Sequence, residues 1–233
     1  MKILAIDTSN DCLGIALLSE EKIIGEYITN MKKNHSVRVM PAIERLLSDC
    51  ETDTTELSKI VVAQGPGSYT GVRIGVTIAK TMAWSLGIPL VGVSSLAILA
   101  ASGRYFTGVI CPLFDARRGL IYTGLYKYEN GVLVDVMEDR NILASEWAET
   151  LSSYKESILF IGNDVSIHKE TFKAILREKA IFSQIPEQNP RPSELGMMGL
   201  NLPAADIHSF TPDYLRLVEA EAKWLEKQEQ KND

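Results

Sequence analysis

Two short runs in this sequence combine residue types that could hold or act on a phosphate. One is Asp7-Thr8-Ser9, where an apolar stretch ends, and the other is GPGSYTGVRIG at 65–75. A turn with successive free N–H groups at the mouth of a sheet binds anions, and the Thr8 and Ser9 hydroxyls could add to it. The same side chains can equally satisfy local backbone donors in a tight turn. The glycine-rich run invites three catalytic readings, and its spacing rules against each. A phosphate loop GxxxxGK[ST] needs a lysine for the β- and γ-phosphates, and the run has none. A nucleophile elbow needs glycines two before and two after Ser68, where Pro66 and Thr70 stand. A dinucleotide fingerprint needs glycine at Thr70, and Gly71 comes one place late.

What the run offers is conformational. Gly65 and Gly67 allow positive φ, Pro66 stiffens the loop, and Ser68 or Thr70 can cap a following helix. Inside that helix Gly71, Gly75, Ala79 and Ala83 recur every four residues as one smooth ridge. An interior glycine costs about 1 kcal/mol against alanine, so the ridge implies close approach of another backbone. Spacing leaves open whether that backbone belongs to this chain or to a partner. Arg73, off the ridge, could reach a carboxylate or a carbonyl, or stay solvated.

The remaining candidates are thinner. His35, His168 and His208 are scattered, with no HxxxH or HExxH pair on a helix face, so no metal site is expected. His35, just before a helix, reads as a cap or a surface contact. Arg117-Arg118 lies in a turn and could meet an anion or remain an exposed charge. Cys12, Cys50 and Cys111 are odd in number and widely spaced, which suggests neither a disulfide framework nor a zinc ribbon and fits a reducing cytoplasm. The net charge of -6 lacks the basic footprint of a protein that grips nucleic acid by itself. A run of only five apolar-rich residues before Asp7, and no apolar span of about 18 residues, predict a cytoplasmic protein with no membrane contact.

The elements that must position these residues follow from periodicity. KILAI, LGIALLS and KIIGEYI read as a three-stranded meander. Val39, Met40, Ile43, Leu46, Leu47 and Cys50 mark one face of a helix over 36–50, with Pro41 in its first turn. KIVVA is a strand, Tyr69 to Leu86 a helix, IPLVGV a strand and SSLAILAAS a helix. The second half starts again: an apolar strand ends at Asp115 as the first ends at Asp7, a second strand follows, and Asn130-Gly131 is a hairpin turn. ASEWAETLSS, SILFIG and DVSIHKETFKAILREKA then alternate helix and strand. The expected fold is α/β, a diverged duplication into two lobes of one strand order. The expected division is 1–103, 104–209, and a C-terminal helix within 210–233 that docks back on the first lobe through Leu215, Val218 and Trp224.

ILAIDTS, NHSVRVMP, the full GPGSYTGVRIG and PDYLRLVEAE together resemble the TsaB (YeaZ) family over essentially the whole chain. The resemblance implies the two-lobed fold of the actin-like and Hsp70-like ATPases (ASKHA), each lobe a mixed β-sheet with flanking helices. It implies a role in placing threonylcarbamoyl on N6 of the adenosine beside the anticodon, in tRNAs that read codons beginning with A. It further implies a non-catalytic subunit that binds TsaD, the metal- and nucleotide-bearing partner, together with TsaE, that meets tRNA through the complex, and that forms homodimers when alone. The implied partner interface comprises His35, Ser36, Val39, Met40 and Ile43 on one helix. From the loop and helix that follow it adds Gly67, Ser68, Tyr69, Thr70, Gly71, Arg73, Gly75 and Ala79. On this reading Gly75→Glu abolishes pairing and leaves the lobe folded.

The departures from the catalytic relatives agree with that role. An HxxxH metal pair would need histidine where Val39 follows His35, and active members of the fold favour DxG[TS] where this chain has Asp7-Thr8-Ser9. A lone Gly162 precedes Asn163 at the adenosine site. Asp7, Thr8 and Ser9 therefore form a degenerate nucleotide site, and no cofactor is expected beyond weak or partner-dependent nucleotide binding. Two alternatives stand beside the binding subunit: a nucleotide-dependent ATPase or phosphotransferase with Asp7 holding a metal-bound water, and a protease, for which neither a metal pair nor an activated serine is visible. Lys32 and Lys33 are candidates for direct tRNA contact.

Overall fold

The computed structural model describes residues 1–31 and 34–215. The first sheet contains β1 (Lys2–Asp7), β2 (Cys12–Ser19), β3 (Ile23–Asn30), β4 (Leu57–Gly65) and β5 (Leu90–Ser94), in the order β3-β2-β1-β4-β5. β6 (Val109–Asp115), β7 (Leu120–Glu129), β8 (Val132–Leu143), β9 (Ile158–Ile161) and β10 (Ala180–Phe182) form the second, in the order β10-β9-β6-β7-β8. Strand for strand the two orders are the same. In each sheet three strands form an antiparallel meander, the next joins the first strand in parallel, and the last pairs in parallel with that one. β1 and β6 lie at the centres, which explains their unbroken apolar runs: both faces of a central strand are covered.

The helices are α1 (Val39–Asp49), α2 (Tyr69–Leu86), α3 (Ser95–Ala100), α4 (Ala144–Ser152), α5 (Val165–Leu176) and α6 (Pro192–Met198). α2 has the bounds its periodicity predicts, because both ends are marked. Ser68 Oγ accepts from Gly71 N at its start, and Gly87 takes a left-handed φ of 65° at its end. α1 begins later than expected, a 3-10 turn over His35–Val37 preceding it. Asn130 and Gly131 are both left-handed, as the β7–β8 hairpin requires.

α1 and α2 cover the outer face of the first sheet, burying Leu4, Ile6, Ile15, Val62, Val72 and Val76 among others; α4 and α5 do the same for the second, around Trp147, Phe160 and Phe172. The inner faces are filled by exchange. α3 leaves the first sheet and packs on β6 and β7, while α6 leaves the second and packs on β1 and β2. Leu195 of α6 joins Ile3, Ala5 and Leu18 in one apolar cluster, so the chain's return to the first lobe begins at α6 rather than at residue 210. From there it runs antiparallel to α2: Ala205 N donates to Leu90 O, Lys80 Nζ to Phe210 O, and Asp213 N to Gln64 O. Phe210 enters the outer core. Leu215 is half-buried. Val218, Trp224, Lys32 and Lys33, named above for docking and for tRNA, lie outside the described residues.

Candidate functional site

A cavity of about 580 Å³ lies between the lobes, reached from the first by Ser9, Asn10, Asp11 and Gly67 to Thr70, and from the second by Phe114 to Arg117, Tyr122, Asn163, Asp164 and Ile167. The two strand-ending aspartates sit at matching places in their sheets, but only Asp115 reaches the cavity wall, and their surroundings differ.

Asp7, Thr8 and Ser9 are all buried. Asp7 Oδ1 accepts from Ser9 N at 2.8 Å and from Ser9 Oγ at 2.7 Å, which closes the turn on itself. Asp7 Oδ2 has no hydrogen-bond partner. Burial pushes the Asp7 carboxyl above the usual range, outweighing the two Ser9 bonds and the nearby His35, which pull it down. Asp7 is not part of the cavity wall, so it is not placed to hold a metal-bound water there. Thr8 Oγ1 donates to Gly71 O at 2.7 Å, and Ser68 N to Ser9 O at 2.7 Å.

This locking explains the glycines. A Cβ on Gly71 would stand 2.2 Å from Thr8 O, one on Gly75 2.5 Å from Thr8 Oγ1, and one on Gly67 2.1 Å from Ser9 O. The backbone that the ridge admits is this chain's own. Gly67 has no positive φ; the left-handed residue of the loop is Gly65, at 117°. Of the residues implied for a partner interface, Gly71, Gly75 and Ala79 face the first sheet, Val39 and Ile43 fill its outer core, and His35 is buried. His35 is neither a cap nor a surface contact: its Nε2 lies 2.7 Å from Asn10 O. A carbonyl only accepts, so the ring carries its proton on Nε2. Gly67 is half-buried against Ser9. Ser36, Met40, Ser68, Tyr69, Thr70 and Arg73 are exposed. Arg73 lies over the Tyr69 ring at 4.6 Å, and Tyr69 pairs with Tyr214 at 5.3 Å between centroids.

The second turn is held open. Asp115 N donates to Asp164 Oδ2 at 2.9 Å, and His168 Nε2 lies 2.9 Å from Asp115 Oδ1. The His168 side chain is 6% exposed and that of Asp115 is 23% exposed, so a buried ring orients a carboxylate that still faces the cavity. Asp164 is pushed up, first by burial and then by the charges of Asp115 and Asp11, with the Asp115 N–H pulling it down. Arg117, Arg118 and Gly119 follow with φ of 65°, 56° and 79°. Left-handed non-glycine residues of this kind cost on the order of 1 kcal/mol or more each. Three carboxylates, Asp11, Asp115 and Asp164, thus share one cleft with Arg117. Such a wall opposes a bare polyphosphate and favours a ligand that brings positive charge with it. Among the described residues, no group of three His, Cys, Asp or Glu side chains is arranged to hold a metal ion.

Nothing in the local sequence marks His168 and Asp164 as partners of Asp115. Periodicity marks His168 only as a buried position of α5, and no spacing rule connects it with Asp115, 53 residues away.

Two sheets of one order, exchanged inner helices and a cleft between the turns that follow their central strands define a two-lobed protein of the actin-like, Hsp70-like ATPase fold. YeaZ from Pseudomonas aeruginosa superposes with a TM-score of 0.80 over 92% of this chain and 99% of that one, at 24% identity. The ethanolamine utilization protein EutJ from Carboxydothermus hydrogenoformans shares the fold more distantly, with a TM-score of 0.51, 12% identity, and coverage of 85% and 90%. The family model described as "TsaD: tRNA N6-adenosine threonylcarbamoyltransferase" matches residues 22–224. The tRNA threonylcarbamoyladenosine biosynthesis protein TsaB of Bacillus subtilis is 58% identical over 98% of this chain and all of its own length. The Escherichia coli protein of that name is 33% identical over 57% of this chain and 58% of its own. The chain belongs to the TsaB family.

Proposed function

We propose that this protein is a non-catalytic subunit required for threonylcarbamoyl transfer to N6 of the adenosine beside the anticodon, in tRNAs that read codons beginning with A. It acts in the cytoplasm by binding and supporting the transferase TsaD together with TsaE, and it meets tRNA through that complex. The observation that carries this reading is the plugged first turn. Thr8 is seated in the glycines of α2 and Asp7 is sealed beneath Ser9, so the lobe that would present the catalytic carboxylate turns it away from the cleft. Family membership supports the pathway.

The burial pattern refines the surface offered to TsaD. It is the outward face of the 3-10 turn before α1, of α1 and of α2, where Val37, Met40 and Tyr69 are 68%, 47% and 41% exposed and Thr70 and Arg73 stand beside Tyr69. Exposed apolar side chains flanked by Tyr and Arg have the composition of binding hot spots. A second copy of the chain fits the same face when TsaD is absent. The test is reconstitution of the modification with TsaD, TsaE, tRNA and substrates, with and without this protein. Loss of product on omission is expected, and full product without it would end the proposal. Met40→Glu with Arg73→Ala is expected to weaken TsaD binding by roughly tenfold or more with an unchanged melting temperature.

The cleft sustains a second reading, a nucleotide-dependent ATPase. Asp115 and Asp164 line a volume within the range of small-molecule sites, about 300–1,000 Å³. Calorimetry with ATP and magnesium, with and without TsaD, separates the two, since the subunit reading allows weak or partner-dependent binding and no turnover by the protein alone.

A further inference from the structure

Away from the cleft walls, one carboxylate joins the lobes. Ser94 ends β5 in the first lobe and caps α3, its Oγ accepting from Leu96 N at 3.1 Å and Ala97 N at 3.2 Å. The same hydroxyl donates to Asp139 Oδ2 on β8 of the second lobe. Asp139 Oδ1 accepts from the Tyr126 hydroxyl on β7. Both oxygens are therefore engaged, one from each lobe. The sequence makes room for this group: the β7–β8 register shifts around Gly124, and a Cβ there would stand 2.5 Å from Asp139 Oδ1. A glycine inside a strand commonly marks such a close approach.

The position matters because of what α3 does. It is the helix the first lobe sends onto the second sheet, and Ser94 is its first fixed point. Any rotation of one lobe against the other must move Ser94 relative to β8. Asp139 is half-buried, so a displaced Ser94 hydroxyl would leave a partly desolvated carboxylate without one of its two hydroxyl donors, at a cost in unpaired polar surface. Burial raises the Asp139 carboxyl, the Ser94 and Tyr126 bonds lower it, and the charges of Asp135 and Asp213 raise it further. The carboxylate thus depends on those two donors.

We propose that Asp139 is a latch that fixes the angle between the lobes. Through Ser94 it holds the first lobe against the second, so the cleft keeps one width and the protein acts as a rigid platform. Ser94 carries the crossing bond to the carboxylate, and Tyr126, whose hydroxyl also lies beside Ser94, positions that carboxylate on β8. The device stands on these contacts and is independent of which partner the protein binds.

The experiment is a distance distribution between spin labels on Lys22→Cys and Glu149→Cys, one exposed site per lobe, in full-length protein carrying Cys50→Ser. Unmodified at the latch, the protein is expected to give a single narrow distance. Ser94→Ala and Asp139→Asn are expected to broaden or shift it. Tyr126→Phe keeps the Ser94–Asp139 bond and is expected to change the distance less than Ser94→Ala does, while lowering the melting temperature. Distributions in Ser94→Ala and Asp139→Asn that overlay the parent, or equal broadening in Tyr126→Phe, would overturn the proposal. If Asp139→Asn does not fold, Ser94→Ala and Ser94→Gly decide the matter: both remove the crossing hydroxyl together with its cap on α3, and glycine, tolerated at a cap, keeps the second loss small.

Discussion

The turn after β1 and the turn after β6 occupy one place in two sheets of identical order, yet one is shut and the other open. In the first, Thr8 donates to the Gly71 carbonyl and Asp7 is wrapped by Ser9. In the second, His168 stands on the helix facing Asp115 and holds that carboxylate toward the cleft. The helix after the turn decides the outcome. Where α2 is bare, the turn collapses onto it; where α5 carries an imidazole, the turn is held off at the length of a side chain. The two lobes have thus kept one frame and lost their symmetry at the two strand-ending aspartates.

The largest test of this contrast is on the bare helix. Gly75→Glu would drive a charged side chain into Thr8 and the β1–β4 face, with its Cβ already 2.5 Å from Thr8 Oγ1. We expect a loss of about 4 kcal/mol or more, read as a soluble-fraction collapse or a melting temperature lower by many degrees. This replaces the expectation that the variant folds and only fails to pair. Ile167→Glu, on α5 where the side chain is 61% exposed, should melt within about 0.5 kcal/mol of the parent. Equal tolerance of both would mean that α2 does not receive the turn as described.

Next in size is the prop of the open turn. His168→Ala removes the buried partner of Asp115 Oδ1 and leaves a hole beside it. A cost of about 1–3 kcal/mol is expected, measured by denaturant unfolding. His168→Gln, which can still donate to the carboxylate, should recover part of it. A loss equal in Ala and Gln would reduce His168 to packing alone.

These contacts divide into those the sequence shows and those it hides. The opening meander, the two aspartate-ended strands, the bounds of α2 and the 130–131 hairpin follow from period, caps and turn chemistry, which act within a few residues. The direction of the glycine ridge does not. Gly71, Gly75, Ala79 and Ala83 announce that a backbone comes close, and only the register of β1 under α2 says that it is Thr8. The exposed half of the same helix, Tyr69, Thr70 and Arg73, is legible only once the buried half is known. His168 with Asp115, and Ser94 with Asp139, join residues 53 and 45 apart through tertiary pairing that no local pattern encodes.

The smallest predicted effect runs opposite in sign and probes the closed turn directly. Asp7 is buried with one oxygen unpartnered and its carboxyl raised by burial. A raised folded value means that the native state holds the proton more tightly than the unfolded chain does. The stability this gives is full below the unfolded value, about 3.9, and is lost as pH rises through the folded one. Asp7→Asn keeps an acceptor for Ser9 N and Oγ and carries no charge to bury, although its amide takes the place of an oxygen that already lacks a partner. The melting temperature of Asp7→Asn minus that of the parent is therefore expected to grow as pH is raised from about 4, and to be positive near neutrality. In the reconstituted modification reaction the variant should retain activity, because Asp7 does not reach the cleft. A variant that melts lower at every pH, or that folds normally and loses all activity, would show that this carboxylate is needed as a charge and would return the first turn to the class of working sites.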